Sequence, residues 1–395
     1  MNAPAVRQAS RFEGGYSGIC AALFSLAMGL SAVAIPLLAL AAGYHAGEVG
    51  LLVSLSAVSQ LLTRSVMGLL LRHVPDKLFI GAAGLLMASS CLVLVASAGL
   101  WAFVLSQLAQ GAGRGVFWTG AQTHVVRTSA SSVSAIAKVN LTSGLGLIIG
   151  PLAAGPMIDH LSPEWTLTCA ALCGLLVPLP TALLLRLPPM RPTRTRGASG
   201  PVWRRPGVGL ASWAGASAGA WRAMMNAYVP VVLNQAGQSA SSIGVVAAAA
   251  NAASIAGGAG AGWTKPPHLR PWLIVGIMTT GTGLALFGAL AHQLVAAGAA
   301  ISAAGIGAGL LQTVGPALAS EAVADEERGE AIASTGTYRA AALLVAPLGV
   351  AALVSIMTTS AAVAVAGMAM AAPALFSRRR ERASAIGSSD TEGAK

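Results

Sequence analysis

Apolar positions in this chain fall in long, nearly unbroken runs, not at the alternating or three-to-four spacing of a half-buried strand or helix. A helix needs about 20 mainly apolar residues to cross the hydrocarbon core of a bilayer. Reading between turn signals gives twelve such runs: 17–42, 49–71, 78–98, 101–124, 132–157, 165–186, 208–233, 241–263, 270–290, 293–317, 332–356 and 359–376. The connections are short except at 187–207, LPPMRPTRTRGASGPVWRRPG, a Pro-, Gly- and Arg-rich stretch that reads as a linker. The polar stretch MNAPAVRQASRFEGGYSG before the first run is too long for a cleaved signal peptide, so that run is read as a span that stays. The pattern predicts an all-α membrane protein with twelve transmembrane helices.

Composition agrees. The 395 residues are 55% hydrophobic and 9% charged, with a mean hydropathy of +0.71. A soluble domain carries about 25% charged residues, so the soluble class is excluded. Cys20, Cys91, Cys169 and Cys173 all lie in apolar runs without metal-ligand spacing, and are read as small packing residues. No metal and no cofactor is expected.

The net charge of +11 matters less than where it falls. Positive residues are retained on the cytoplasmic side of a membrane. Of the 24 Lys and Arg, 20 lie in the N-terminal tail, after spans 2, 8 and 10, around the 4–5 turn, in the central linker or in the C-terminal tail. The intervening turns contain none. This alternation fits twelve spans and predicts that both termini are cytoplasmic. The basic linker is expected to meet anionic lipid head groups of the bilayer rather than nucleic acid.

The chain also repeats itself. At an offset of 194, Pro36, Ala42, Gly43, Ala46 and Gly50 match Pro230, Ala236, Gly237, Ala240 and Gly244. At 196, Gly111-Ala112-Gly113 matches Gly307-Ala308-Gly309, and Pro151-Leu152 matches Pro347-Leu348. The expected organisation is a six-helix bundle over 1–186, a basic linker over 187–207, a pseudo-symmetric six-helix bundle over 208–377 and a tail over 378–395. Parallel halves of this kind describe a carrier whose halves rock about a site near the bilayer midplane.

Three local patterns then carry a resemblance to the major facilitator superfamily. After span 2, GLLLRHVPDK (68–77) keeps Gly68 and Lys77 of the family's loop pattern, with Arg72, Pro75 and Asp76 replacing an acid, a glycine and a base. In span 4, QLAQGAG (107–113) keeps Gln110, Gly111 and Gly113, with Gln107 where the family has arginine. In span 5, GLIIGPLAAG (146–155) is similar to the pattern of the family's exporters and antiporters through Gly146, Gly150, Pro151 and Gly155. The resemblance implies a secondary transporter working by alternating access, with export favoured. It implies a gating or packing role for Gly68, Gly146, Gly150, Pro151 and Gly155, span 5 packing closely against the other half.

Four arginines fall inside spans: Arg64, Arg114, Arg222 and Arg339. A charge at the helix centre costs about 2.5–3.5 kcal/mol on insertion scales and marks a functional site by default. Arg114 shares a helix face with Gln107, Gln110, Phe117 and Trp118, and Arg222 has Asn226 at i+4. We therefore take Arg114, Arg222, Asn226, Gln107, Gln110 and Trp118 as substrate-binding candidates. Arg64 and Arg339 read as interfacial anchors. None of the four recurs in the other half: Arg114 aligns with Leu310, Arg222 with Met28, Arg339 with Ser143 and Arg64 with Gly258. All 13 carboxylates lie at span ends, in loops or in tails, with Glu13, Glu48 and Asp159 read as solvated.

An electropositive cavity without carboxylates suits a small organic anion, or an amphipathic molecule with an anionic group, gripped bidentately by arginine. The alternative within the carrier class is a proton-linked multidrug exporter whose Trp118, Trp213 and Trp221 line an apolar pocket for neutral or cationic compounds. A non-transporting membrane sensor is the alternative of another class. An enzyme needs a base or nucleophile with an orienting partner, and the spans carry no such constellation. The expected partners are a small-molecule substrate and the lipid bilayer, the expected state a monomer, and the expected location the cytoplasmic membrane of the cell.

Overall fold

The computed structural model describes residues 3–129, 132–189, 205, 207–262, 268–324 and 327–374. Of the expected linker only 187–189, 205 and 207 fall among them, and the tail 378–395 lies outside the described residues. The described residues form helices α1 (Ala3–Ala41), α2 (Ala46–Leu70), α3 (Asp76–Ala96), α4 (Leu100–Thr128), α5 (Ser132–His160), α6 (Pro163–Leu176), α7 (Pro178–Leu183), α8 (Val208–Gln235), α9 (Ala240–Ala261), α10 (Leu269–Ala289), α11 (Leu294–Glu321), α12 (Arg328–Val354) and α13 (Thr359–Ala374). No strand occurs among them.

Helices α6 and α7 are two pieces of one span. They divide at Val177, before Pro178, where the missing N–H of proline interrupts the backbone ladder. Twelve spans result. Each matches its expected bounds to within four residues, except that α1 begins at Ala3. Nine spans are long and apolar enough to cross a membrane by length and composition. The others are the short α13 and the two helices that carry Arg114 and Arg222, α4 and α8.

The spans pack as two six-helix bundles with the same internal plan. In the first, α1 lies on α5, α2 on α4 and α3 on α4. In the second, α8 lies on α12, α9 on α11 and α10 on α11. The bundles meet through α5 against α9 and α2 against α12, with α1 and α8 between them. With neither water nor hydrophobic drive between spans, such contacts rest on close van der Waals packing of small residues.

The packing corrects one register of the repeat. A Cβ on Gly111 would collide with the Ser56 carbonyl of α2, and one on Gly305 with the Ala250 carbonyl of α9. Gly113 faces Ala83 of α3, and Gly307 faces Gly276 of α10. Spans 4 and 10 therefore continue the 194 offset, and the 196 match of Gly111 with Gly307 is a coincidence of glycine-rich sequence. Arg114 is equivalent to Ala308 rather than Leu310. The asymmetry of the charge survives the correction.

The loops with Arg72, Lys77, Arg127 and Arg186 lie at one end of the bundles, called here the basic face. The opposite, far face is where the bundles close on each other. A Cβ on Gly244 would collide with the Pro151 carbonyl, and one on Gly155 would lie 2.6 Å from Ser241 Cα. The pseudo-symmetric seam is filled differently: the Tyr228 hydroxyl wedges beside Gly50 and donates to the Pro347 carbonyl at 3.3 Å. Toward the basic face, a Cβ on Gly68 of α2 or Gly336 of α12 would meet nothing within 4 Å.

Candidate functional site

Helix α4 turns Gln107, Gln110 and Arg114 to one side through their i, i+3, i+7 spacing. Glycines 111, 113 and 115 bring α2 and α3 against its other sides, so Arg114 sits deep and is only 8% exposed. The three polar side chains line a narrow cleft between the bundles, closed down in this state to about 10 Å³. Ser31 and Pro36 of α1, Val53 of α2 and Asn226 of α8 form its other walls. Arg114 Nη2 donates to Gln110 Oε1, and Gln110 Nε2 donates to Ser31 Oγ at 3.2 Å. Arg114 Nε and Gln107 Oε1 are buried with no hydrogen-bond partner. A buried donor left unmade costs about 1–3 kcal/mol, so this guanidinium edge is poised for an acceptor.

Arg222 approaches from the second bundle. Its Nη1 donates to Asn251 Oδ1 at 2.6 Å, and the guanidinium lies 4.9 Å from the Trp221 ring centroid. Asn251 Nδ2 donates in turn to the Leu147 carbonyl of α5 at 3.1 Å and to the Ala247 carbonyl at 2.9 Å. Arg222, Asn251 and Leu147 thus make a polar link across the seam at mid-depth. Arg222 lies within electrostatic reach of Arg114 and of Arg339, and Arg339 within reach of Arg64. No ion pair among the described residues involves any of these four arginines. Asn251 was missed in the sequence, although a lone amide in AAAANAAS was a signal for it.

Of the expected binding residues, the structure brings Arg114, Gln107, Gln110 and Asn226 into one cleft and sets Arg222 beside it. Trp118 is elsewhere: it packs edge-on against Phe117, which stacks on Phe24 at 4.1 Å. Helical periodicity set Phe117 on the face of Arg114, whereas Phe117 is fully buried on α1. Trp213 donates to the Met370 carbonyl at 3.5 Å, and Trp221 is fully buried beside Gly305. The three tryptophans therefore line no common pocket.

The glycines of span 5 divide into two sets. Gly146 and Gly150 face α1 of their own bundle, where a Cβ would come within 2.7 Å of Ala22 O and of Gly29 Cα. Gly155 and the Pro151 carbonyl, by contrast, meet α9 across the seam. Gly155 lets α5 come close enough for Asp159, one turn on, to cap α9. Asp159 accepts the Ala240 N–H at 3.0 Å and the Ser241 N–H at 2.8 Å. It is thus an inter-bundle contact and not simply a solvated acid.

At the basic face a charged cluster lies inside the first bundle. The 29 residues of α4 reach about 43 Å, beyond the hydrocarbon core, and deliver His124 and Arg127 to the ends of α1 and α3. His124 Nε2 is 2.8 Å from Glu13 Oε2, and Nδ1 is 3.1 Å from Asp76 Oδ1. Both bonds form only when the imidazole carries both protons, since carboxylates accept. Arg127 Nη1 donates to Asp76 Oδ2 at 2.9 Å. Glu13, read as solvated, is 4% exposed, and Asp76 is 0% exposed. The cluster also holds the start of the linker: Leu185 N–H donates to Glu13 at 2.9 Å, Arg127 to the Pro188 carbonyl at 2.6 Å, and Lys77 to the Leu184 carbonyl at 2.8 Å.

Comparison with known proteins agrees with this architecture. The family model of the Major Facilitator Superfamily matches residues 18–347. Among curated proteins no relative matches the chain. Among solved structures, a bacterial homolog of the human lysosomal transporter Spinster, in an inward-facing and unoccupied conformation, is similar with a TM-score of 0.67 at 13% identity, covering 95% of each chain. The nucleoside transporter NupG, solved as a point mutant, is similar with a TM-score of 0.72 at 12% identity, covering 92% of this chain and 97% of that one.

Proposed function

Because this chain belongs to the major facilitator superfamily, and is thus a secondary transporter embedded in the lipid bilayer, we propose that it carries a small organic anion, or an amphipathic molecule with an anionic group, by alternating access. The observation behind this reading is Arg114: buried at the bundle interface, its Nε unpartnered, with no carboxylate in ion-pair contact among the described residues. A guanidinium in that setting binds an oxyanion through charge-assisted bonds. Asn226 and Gln107 add an amide from each bundle, so the solute touches both halves and senses their rocking.

The positive loops set the basic face, with both termini, in the cytoplasm. The close packing at the far face, with open space beside Gly68 and Gly336 toward the basic face, supports reading this as an inward-facing state. Rocking must break the Asp159 cap on α9 and the contacts of Gly155 and Gly244, and close the space beside Gly68 and Gly336. Gly68, Gly146, Gly150, Pro151 and Gly155 act in this reading as the packing and gating residues. The span 5 pattern favours export, and exchange of one anion for another suits a site without a carboxylate. The protein works as a monomer in the cytoplasmic membrane.

The test is flux in sealed vesicles, with and without a pH gradient, over a panel of organic anions and cationic dyes. Arg114→Gln is expected to abolish anion flux while the protein stays folded in the membrane. Undiminished anion flux, or transport of the dyes alone, overturns the assignment.

A further inference from the structure

Arg64 and Arg339, read from the sequence as interfacial anchors, lie on α2 and α12, the helices that face each other across the seam. On α12, the backbone of Arg339 abuts α8: a Cβ on Gly219 would collide with the Arg339 carbonyl, as one on Gly215 would with the Thr335 carbonyl. Gly219 is one turn from Arg222, so Arg222 and Arg339 lie on adjoining helices at nearly one depth. Arg64 comes from the facing helix of the other bundle. Near the far face α2 and α12 run antiparallel with Gly47 beside Ala351. Carrying that register along the pair sets Arg64 opposite Ser334, about a turn and a half from Arg339 on the side of the basic face.

At 1.5 Å per residue, Arg222 lies about 21 Å, Arg339 about 16 Å and Arg64 about 9 Å from the basic ends of their helices. With Arg114 at the depth of Arg222, the four form a descending series toward the basic face. Arg64 is exposed and Arg339 half-buried, and neither has an ion pair among the described residues. Among the described residues, Glu330, in the first turn of α12, Glu321, at the end of α11, and Glu13, Asp76 and Glu327 are the acids toward this end. The last three are committed to His124, Arg127 and Arg205. Two cations held near each other without counter-ions raise the potential between them, and that repulsion is relieved by an anion shared across both.

We propose that Arg339 and Arg64 form a second anion subsite between the central cleft and the basic face, and that the transported solute carries two anionic groups on a short frame. This rests on the reading of Arg114 and Arg222 as the first subsite. One group reaches Arg114 and Arg222, and the other is held by a residue from each bundle, Arg64 from α2 and Arg339 from α12. A monoanion fills one subsite and leaves the lower pair unneutralised, so the site selects dianions. Closure of the seam at the basic face brings α2 and α12 together only when a second negative charge lies between Arg64 and Arg339.

The experiment is titration of the purified full chain in nanodiscs with succinate and with benzoate at matched ionic strength. Succinate is expected to bind more tightly. Arg339→Gln, and to a smaller extent Arg64→Gln, lower the ratio of succinate to benzoate affinity by about tenfold, the loss of one charge-assisted contact. Remaining benzoate binding reports that each variant is folded. Arg114→Gln weakens both ligands. A ratio unchanged in both variants, or benzoate binding without succinate binding, overturns the second subsite and leaves the anion carrier standing. If neither anion binds, both readings fall.

Discussion

Asp159, at the end of α5, accepts the backbone N–H of Ser241 at 2.8 Å and so caps a helix that belongs to the other bundle. Its second oxygen takes the neighbouring N–H of Ala240 at 3.0 Å. The first turn of a helix leaves its N–H groups unpaired and carries a partial positive charge. Here the cap crosses the seam that has to open. Replacing a capping Asp by Ala costs about 1 kcal/mol. Asp159→Ala is therefore expected to shift the equilibrium toward opening at the far face by about fivefold. Spin labels at His160 and Ser239 read this directly as growth of a longer-distance population. An unchanged distance distribution excludes the latch.

The fold was legible because lipid imposes one rule on every span: the backbone must satisfy itself, and the side chains must be apolar. Apolar run length gave the helices, and loop arginines gave their alternation. The central cleft was half legible. Arg114, Gln107 and Gln110 announced themselves as polar residues in lipid, and they do meet. Trp118 did not, because a 3.6-residue period fixes a face but not what packs on it, and Phe24 had already claimed Phe117. Glu13, Asp76 and His124 were hidden for another reason. They are far apart in the chain, and each sits at or near the end of an apolar run, where solvent is the default. Only the extra length of α4 brings them together. The pairing of Arg64 with Arg339 could not be read at all, because a single chain carries no register between α2 and α12.

Gly155 and Gly68 separate packing from conformation. A Cβ on Gly155 would meet the Ala240 carbonyl and Ser241 Cα at 2.6 Å, both backbone atoms that have no rotamer to yield. Gly155→Val should force α5 from α9, remove the Asp159 cap and abolish flux. Gly68 has open space around it, so Gly68→Val should leave the melting temperature of the purified protein unchanged. Flux by Gly68→Val then reports whether α2 needs that space when the basic face closes. A melting temperature lowered as much by Gly68→Val as by Gly155→Val contradicts the state assigned here.

Asp76 binds His124 and Arg127 together at the basic face, with its own side chain fully buried. Removing one partner of a buried charged network costs about 3–5 kcal/mol, because the remaining charges lose their compensation. Asp76→Asn is thus expected to lower the apparent melting temperature of the purified protein by several degrees. It should also free residues 184–188, since Arg127 and Glu13 hold them only while the cluster is intact. Limited proteolysis after Arg186 measures that release. Wild-type melting together with wild-type cleavage would show that the cluster contributes nothing to anchoring the linker.

Asn251 offers the sharpest test of the central charge. Its Oδ1 receives Arg222 at 2.6 Å while its Nδ2 holds the Leu147 carbonyl across the seam. Asn251→Asp keeps the volume and the acceptor, and adds the carboxylate that the site lacks. An internal anion at that distance competes with the solute for Arg222, as one ion-paired arginine is no longer free to bind another oxyanion. It also replaces the Nδ2 donor by an oxygen that repels the Leu147 carbonyl. Anion flux should fall by about tenfold to a hundredfold, while Asn251→Ala, which frees Arg222, should lose less. If the site instead served cations, Asn251→Asp would strengthen it, and uptake of a cationic dye would rise. Flux of anions and dyes measured side by side in the same vesicles therefore decides the sign of the solute by a single added charge.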